Sequence, residues 1–222
     1  MGSMIELTAA DGHKFGAYKA EPAGKPRGGL VVVMEIFGVN SHIRSVADGY
    51  AADGYLVIAP AMFDRVQRNY ECGYTPAEIE VSRGLMQKAS FDDAIKDVAA
   101  SVKAAQAAGK VGIVGYCWGG AVAWKAAAEV AGLACAAPHY GGAIPKFMDL
   151  QAKCPVMFHW GDKDQSIPME AVEKVKAAQP KHEHHIYPAG HGFNCDQRGS
   201  YDAASAKLAR ERPLAFLRKH VG

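Results

Sequence analysis

The run Val111-Gly112-Ile113-Val114-Gly115-Tyr116-Cys117-Trp118-Gly119-Gly120 opens as an apolar strand and closes on small residues that begin a helix. Its second half has the form Gly-x-nucleophile-x-Gly. A reactive side chain on a sharp strand-to-helix turn sits in strained backbone, and its neighbours must lack Cβ atoms for strand and helix to approach. Gly115 and Gly119 meet that need. The Cys117 thiol then lies at a helix N-terminus, where free N–H groups and the helix dipole favour a thiolate. A buried structural cysteine beside a glycine-rich turn is the plain alternative. Because the strand before, the helix after and the flanking glycines all agree, Cys117 is the candidate nucleophile.

The rest of the chain is organised around that turn. Upstream, Phe91 to Ala107 is alanine-rich with Ile95, Val98 and Val102 on one stripe, which is the pattern of a surface helix packed on a sheet. Leu30 to Met34 is an unbroken apolar run, expected of a strand covered on both faces. Helix Ile43 to Ala52, stopped at Gly54, and strand Leu56 to Ala59, ended by Pro60, complete a β-α-β unit. Ile5 to Thr8 and Phe15 to Ala20, joined at Asp11-Gly12, read as a hairpin of edge strands. Met62 to Thr75 lacks periodicity and reads as an irregular excursion near the site. Downstream come helix Gly119 to Val130, strands Cys135 to His139 and Val156 to Gly161, helix Pro168 to Ala178, strand His184 to Tyr187 and a last helix from about Tyr201 to Lys219. Strands alternating with helices imply an α/β fold with a doubly wound, mostly parallel twisted sheet and helices on both faces. Residues 4–222 read as a single domain, with 1–3 as a cloning remnant ahead of Met4.

Composition narrows the function. Of 222 residues, 49% are apolar and 22% charged, enough to bury a full core. A net charge of +2 with scattered Lys and Arg gives no basic surface for phosphate neutralisation, so no nucleic-acid partner is expected. No apolar run approaches the roughly 20 residues that span a bilayer, so no membrane partner is expected and a cytoplasmic location is the default. The five cysteines (Cys72, Cys117, Cys135, Cys154, Cys195) are odd in number and form no CxxC pair, against both a disulfide framework and a zinc ribbon.

In an α/β-hydrolase the nucleophile is followed in chain order by an acid and a histidine, each on a loop after a strand. After Val156 to Trp160 comes Gly161-Asp162-Lys163-Asp164, and one of the two carboxylates is expected to orient the histidine. Asp164 is the choice, with Asp162 in the turn-capping job common to Gly-Asp turns. Pro188-Ala189-Gly190-His191-Gly192-Phe193 then offers His191 as the base among small residues. His182, His184 and His185 alternate along a Lys/Glu-rich strand entry and read as solvated, and no metal site is expected there, because strand alternation splits them between faces and no acidic partner adjoins. Glu35, in Met34-Glu35-Ile36-Phe37-Gly38-Val39-Asn40, stands directly after an apolar run, where burial without a partner is costly. A strand-end residue turned to solvent is its plain alternative. The backbone N–H groups of Ile36 and Trp118 are the expected oxyanion donors.

Together, Glu35 to Asn40, Gly112 to Gly120 with cysteine in the turn, Gly161 to Pro168 and Ala189-Gly190-His191 before Phe193 resemble the dienelactone hydrolase (carboxymethylenebutenolidase) family over nearly the whole chain. The resemblance implies a small α/β-hydrolase without a large cap domain, working as a monomer on a small ester or lactone such as dienelactone, which opens to maleylacetate. It implies that Glu35 holds the resting thiol unreactive and helps generate the thiolate. It also implies a cycle through a thioester in which no metal or organic cofactor enters. Two arginines that bind the dienelactone carboxylate in the family fall here at Cys195 and Ile79, which cannot pair with it. Arg83 and Arg198 are the nearest substitutes, against the plain reading of surface arginines. Tyr140, Trp160, Phe193 and Cys195 are the further candidates for the pocket, the aromatic ones, with Trp118, suiting a less charged ester. The rivals are a Cys-dependent carboxylesterase or thioesterase with another substrate, and a non-catalytic protein in which Cys117 is a sensing thiol.

Overall fold

A computed structural model describes residues 2–222. Its frame is one eight-stranded sheet in the order β1-β2-β4-β3-β5-β6-β7-β8. The strands are β1 (Ser3–Thr8), β2 (Lys14–Ala20), β3 (Gly28–Val33), β4 (Tyr55–Pro60), β5 (Val111–Tyr116), β6 (Leu133–His139), β7 (Met157–Gly161) and β8 (Glu183–Tyr187). β1 and β2 are antiparallel, β2 meets β4 antiparallel, and every pairing from β4 to β8 is parallel. The first strand begins at Ser3, which pairs with Lys19, so the sheet includes a residue read from sequence as a remnant.

The helices are α1 (Ser41–Ala52), α2 (Pro76–Lys88), α3 (Phe91–Ala105), α4 (Trp118–Glu129), α5 (Met169–Ala178) and α6 (Ala203–His220). β3, β4 and β5 are buried at every residue, because α3 and α4 pack together on one side while α1 and α6 lie on the other. Arg210 of α6 ties the latter pair by stacking on Tyr50 of α1, 3.6 Å from its ring centroid. α4, the helix that follows Cys117, is buried from Trp118 to Ala128, as an element with apolar residues all round must be.

Side-chain caps fix where several helices begin. Asn40 accepts from the Ile43 N–H to start α1, Ser90 accepts from Asp93 for α3, and Asp202 accepts from Ser205 for α6. Helix α2, which the residue pattern does not single out and which only the family placement of Ile79 and Arg83 implies, starts at a reciprocal capping box of Thr75 and Glu78 with Pro76 at the first position. The irregular excursion ahead of it stays irregular and is pinned by Arg65, which bonds both Asp97 on α3 and Asp11 in the hairpin turn.

Two chain reversals set the site. β3 lies between β4 and β5, so the connections leaving β3 and β5 run in opposite directions and open a crevice at their C-terminal ends. Glu35 and Ile36 follow β3 there, and Cys117 follows β5.

Candidate active site

Cys117 sits between β5 and α4 with φ of +55° and ψ of −119°, a conformation that costs a residue with a Cβ on the order of 1–3 kcal/mol. Its surroundings over-determine that strain. The Cys117 N–H donates to the His139 carbonyl at 3.0 Å, and its own carbonyl accepts from Gly120 at 2.9 Å and Ala121 at 3.3 Å. A Cβ on Gly119 would run into the carbonyl oxygens of Val33 and Met34, and one on Gly115 into that of Gly119. Strand and helix can therefore close on the turn only with glycine at both places.

His191 Nε2 lies 3.0 Å from Cys117 Sγ, and its Nδ1 lies 2.7 Å from Asp164 Oδ2. Asp164 is 6% exposed, yet both its oxygens are used: Oδ1 accepts from the N–H groups of Ser166 (2.7 Å) and Ile167 (3.2 Å) while Oδ2 faces the imidazole. The turn-capping job expected of Asp162 thus belongs to Asp164 as well, and Asp162 is exposed. Burial alone would depress His191, but the sulfur charge of Cys117 and the hydrogen-bonded Asp164 carboxylate outweigh it and hold the imidazole up at about 10.

Glu35 is 1% exposed, and its partner is Arg198, whose Nη1 donates to Oε1 at 2.8 Å. Arg198 in turn lies over Phe37 and Tyr74, 5.5 and 6.0 Å from their ring centroids. Oε2 of Glu35 has no hydrogen-bond partner among the described residues. No hydrogen bond joins Glu35 to Cys117, so the thiol here rests on His191 rather than on the carboxylate.

Cys117 and His191 open onto a recess of about 530 Å³. Ile36, Phe37, Ile79, Met86, Phe91 and Trp118 supply its apolar wall, and Arg83, Lys146 and Arg198 its cations. The N–H groups of Ile36 and Trp118 make no hydrogen bond among the described residues, which leaves them available to an oxyanion.

The other expected pocket residues lie elsewhere. Trp160 is buried in β7, where its Nε1 donates to His184 Nδ1 at 3.3 Å. Tyr140 and Phe193 are also buried and pack behind the site, with the Tyr140 ring 5.2 Å from that of His191 and 5.3 Å from that of Phe193. Cys195 is buried beside Tyr74 and Glu35, and burial followed by the Glu35 charge pushes its thiol up to about 11. None of the four lines the recess. His182, His184 and His185 are half-buried rather than solvated: His184 stacks on Phe158 at 4.7 Å and His185 tilts against His159 at 5.6 Å. The reading also missed Met86, Phe91 and Lys146 in the recess. Only Phe91 had a signal, as the first residue of a predicted helix next to the excursion.

A mostly parallel sheet that carries a strained turn after one central strand, with an acid and a histidine meeting it from later loops, is the α/β-hydrolase fold. The sequence profile of the "Dienelactone hydrolase family" matches residues 15–221. A Synechocystis sp. protein named "Putative carboxymethylenebutenolidase" is 36% identical over 220 residues, covering 90% of this chain and 89% of that protein. A Pseudomonas putida "Carboxymethylenebutenolidase" is 32% identical over 224 residues, covering 96% and 94%. The crystal structure of a "Putative Dienelactone Hydrolase" from Klebsiella pneumoniae superposes with a TM-score of 0.83 at 31% identity, covering 98% of this chain and 100% of that one. The chain belongs to the dienelactone hydrolase family and is a hydrolase of ester or lactone bonds.

Proposed function

We propose that this hydrolase opens a small lactone or ester by covalent catalysis, with Cys117 as nucleophile, His191 as base and acid, and Asp164 as the group that orients His191. The observation that carries the reading is the line Asp164–His191–Cys117, with contacts of 2.7 and 3.0 Å, ending at the floor of an open recess. The thiolate attacks the carbonyl carbon, and the N–H groups of Ile36 and Trp118 take the negative charge that develops on oxygen. Collapse of the intermediate breaks the C–O bond, the leaving oxygen takes the proton from His191, and a thioester remains. Water, deprotonated by His191, then attacks that carbonyl and expels the thiolate. Glu35, buried and paired with Arg198, is the carboxylate we assign to holding the resting thiol back and helping to generate the thiolate when substrate enters.

A second reading concerns the substrate. The recess wall is mostly apolar and aromatic, and Arg198 is already committed to Glu35, leaving Arg83 and Lys146 as the cations without a carboxylate partner in hydrogen-bond contact. The apolar, aromatic wall favours a less anionic aryl or alkyl ester, whereas the free Arg83 and Lys146 are the groups that would hold a carboxylate such as that of dienelactone. Steady-state hydrolysis of cis- and trans-dienelactone beside p-nitrophenyl acetate separates the two. Turnover of dienelactone that falls at least about 10³-fold in Cys117→Ser supports the first. Ester turnover alone, lost in the same variant, supports the second. Full activity in Cys117→Ser removes both.

A further inference from the structure

Behind the Cys117–His191 pair, three buried side chains that the hydrolytic reading leaves without a joint role converge. Glu35, His42 and Cys195 each offer a ligand atom, and the three atoms lie within 4.8 Å of one another. All three residues are at most 5% exposed. Carboxylate, imidazole and thiol on one point form a donor set suited to a borderline-soft cation and poorly suited to calcium or magnesium, which take oxygen ligands.

Independent features of the same residues point to a ligand. Oε2 of Glu35 is buried without any hydrogen-bond partner, while Oε1 is held by Arg198, so one carboxylate oxygen is free for a cation without breaking the ion pair. Leaving such an oxygen desolvated and unpaired is costly. His42 Nδ1 lies 3.3 Å from Asp196 Oδ1. A carboxylate at Nδ1 is the arrangement that fixes a histidine's tautomer and leaves Nε2 as a lone-pair donor to a metal. Beside the sulfur, the Tyr74 hydroxyl is held in place by Asn40, whose Nδ2 donates to its oxygen at 3.1 Å. His42, unlike Glu35 and Cys195, also borders a separate recess of about 310 Å³ shared with Tyr116, Asn194, Asp196 and Arg210, which supplies an access route away from the substrate side.

We infer that Glu35, His42 and Cys195 bind a thiophilic divalent cation of the zinc class. Binding forms bonds from the cation to a Glu35 oxygen, a His42 nitrogen and the Cys195 sulfur, and releases the Cys195 thiol proton to solvent. The thiolate and the carboxylate carry two negative charges, and that of Glu35 is shared between the cation and Arg198. Ligand bonds of about 2.0–2.3 Å require tetrahedral ligand atoms to stand roughly 3.3–3.8 Å apart, so the side chains draw in slightly on binding. The site is separate from the hydrolytic pair, and its test does not depend on turnover.

Cobalt(II) chloride is the probe, titrated into the Cys117→Ser protein so that the Cys117–His191 pair cannot supply the thiolate. The expected result is one equivalent bound with a near-ultraviolet thiolate-to-cobalt absorption band and release of about one proton. Cys195→Ser in that background removes the band, and Asp196→Asn weakens binding about tenfold. The proposal is overturned if Cys117→Ser gives no band, or if the band survives Cys195→Ser. Should Cys195→Ser fail to fold by circular dichroism, the anomalous map of zinc-soaked crystals of the Cys117→Ser protein decides: a peak among Glu35, His42 and Cys195 supports the site, and its absence there overturns it.

Discussion

At the residue scale, the site concentrates several obligations on single side chains. Asp164 both caps its own turn through Oδ1 and faces His191 through Oδ2. Asp164→Asn is therefore expected to lower kcat/KM by about 10³–10⁴-fold, since an amide favours the wrong imidazole tautomer, while Asp162→Asn stays within about twofold. Equal losses in the two variants would refute the assignment. Glu35 and Arg198 form a second dependent pair, with side chains 1% and 18% exposed. Arg198→Ala leaves a buried carboxylate uncompensated and should cost about 3 kcal/mol in urea unfolding, whereas adding Glu35→Gln should recover part of that loss. A double variant no more stable than Arg198→Ala would show that the pair does not couple.

At the scale of elements, α6 holds a proline, Pro213, inside its span. Proline has no N–H, so the carbonyl of Ala209, four residues earlier, loses its helical partner. His139 of β6 fills the gap, with Nε2 3.1 Å from the Ala209 oxygen. His139→Leu keeps the volume and removes the donor, and is expected to destabilise by about 1–3 kcal/mol. Pro213→Ala in the His139→Leu protein should restore part of it by supplying a backbone N–H, which thermal unfolding of the two variants would show.

The elements that could be read from sequence were those with a strong pattern. The uniformly apolar β3 and β5 and the turn between β5 and α4 carry their own signals, and so do Cys117 and His191. Helix α2 was passed over because only Ser82 and Leu85 on it are buried, too weak a stripe to stand out, although the capping box at Thr75 was there to be seen. The pocket was the least legible part. Met86, Phe91 and Lys146 come from three different segments, and only the folded chain brings them together. Trp160 and Phe193, large and close in sequence to the acid and the histidine, were drawn toward the mouth by that proximity but satisfy the core instead.

For the whole molecule, the chief acid liability lies in the sheet. His139 and His159 stack face to face with centroids 4.1 Å apart and are wholly buried. Burial pushes His139 down to about 4, and burial with its histidine neighbours pushes His159 well below its ordinary value. Between about pH 6.5 and 4 the unfolded chain takes up protons that the folded one refuses, so this contribution is fully present above about 6.5 and is lost as the pH falls toward 4. For His139 alone the loss is on the order of 3 kcal/mol. Urea midpoints should hold steady from pH 8 to 7 and fall below 6.5, and a flat profile down to pH 4.5 would contradict the account. No helix among the described residues is long and apolar enough to cross a membrane.

The three tryptophans are distributed unequally. Trp124 and Trp160 are sealed in the core, while Trp118, next to Cys117, forms part of the recess wall and stacks on Phe91 at 5.4 Å. Any molecule that enters the recess meets one indole and leaves the other two untouched. The protein thus carries a built-in optical reporter: its intrinsic fluorescence can follow occupancy of the recess in real time, without a label and without turnover.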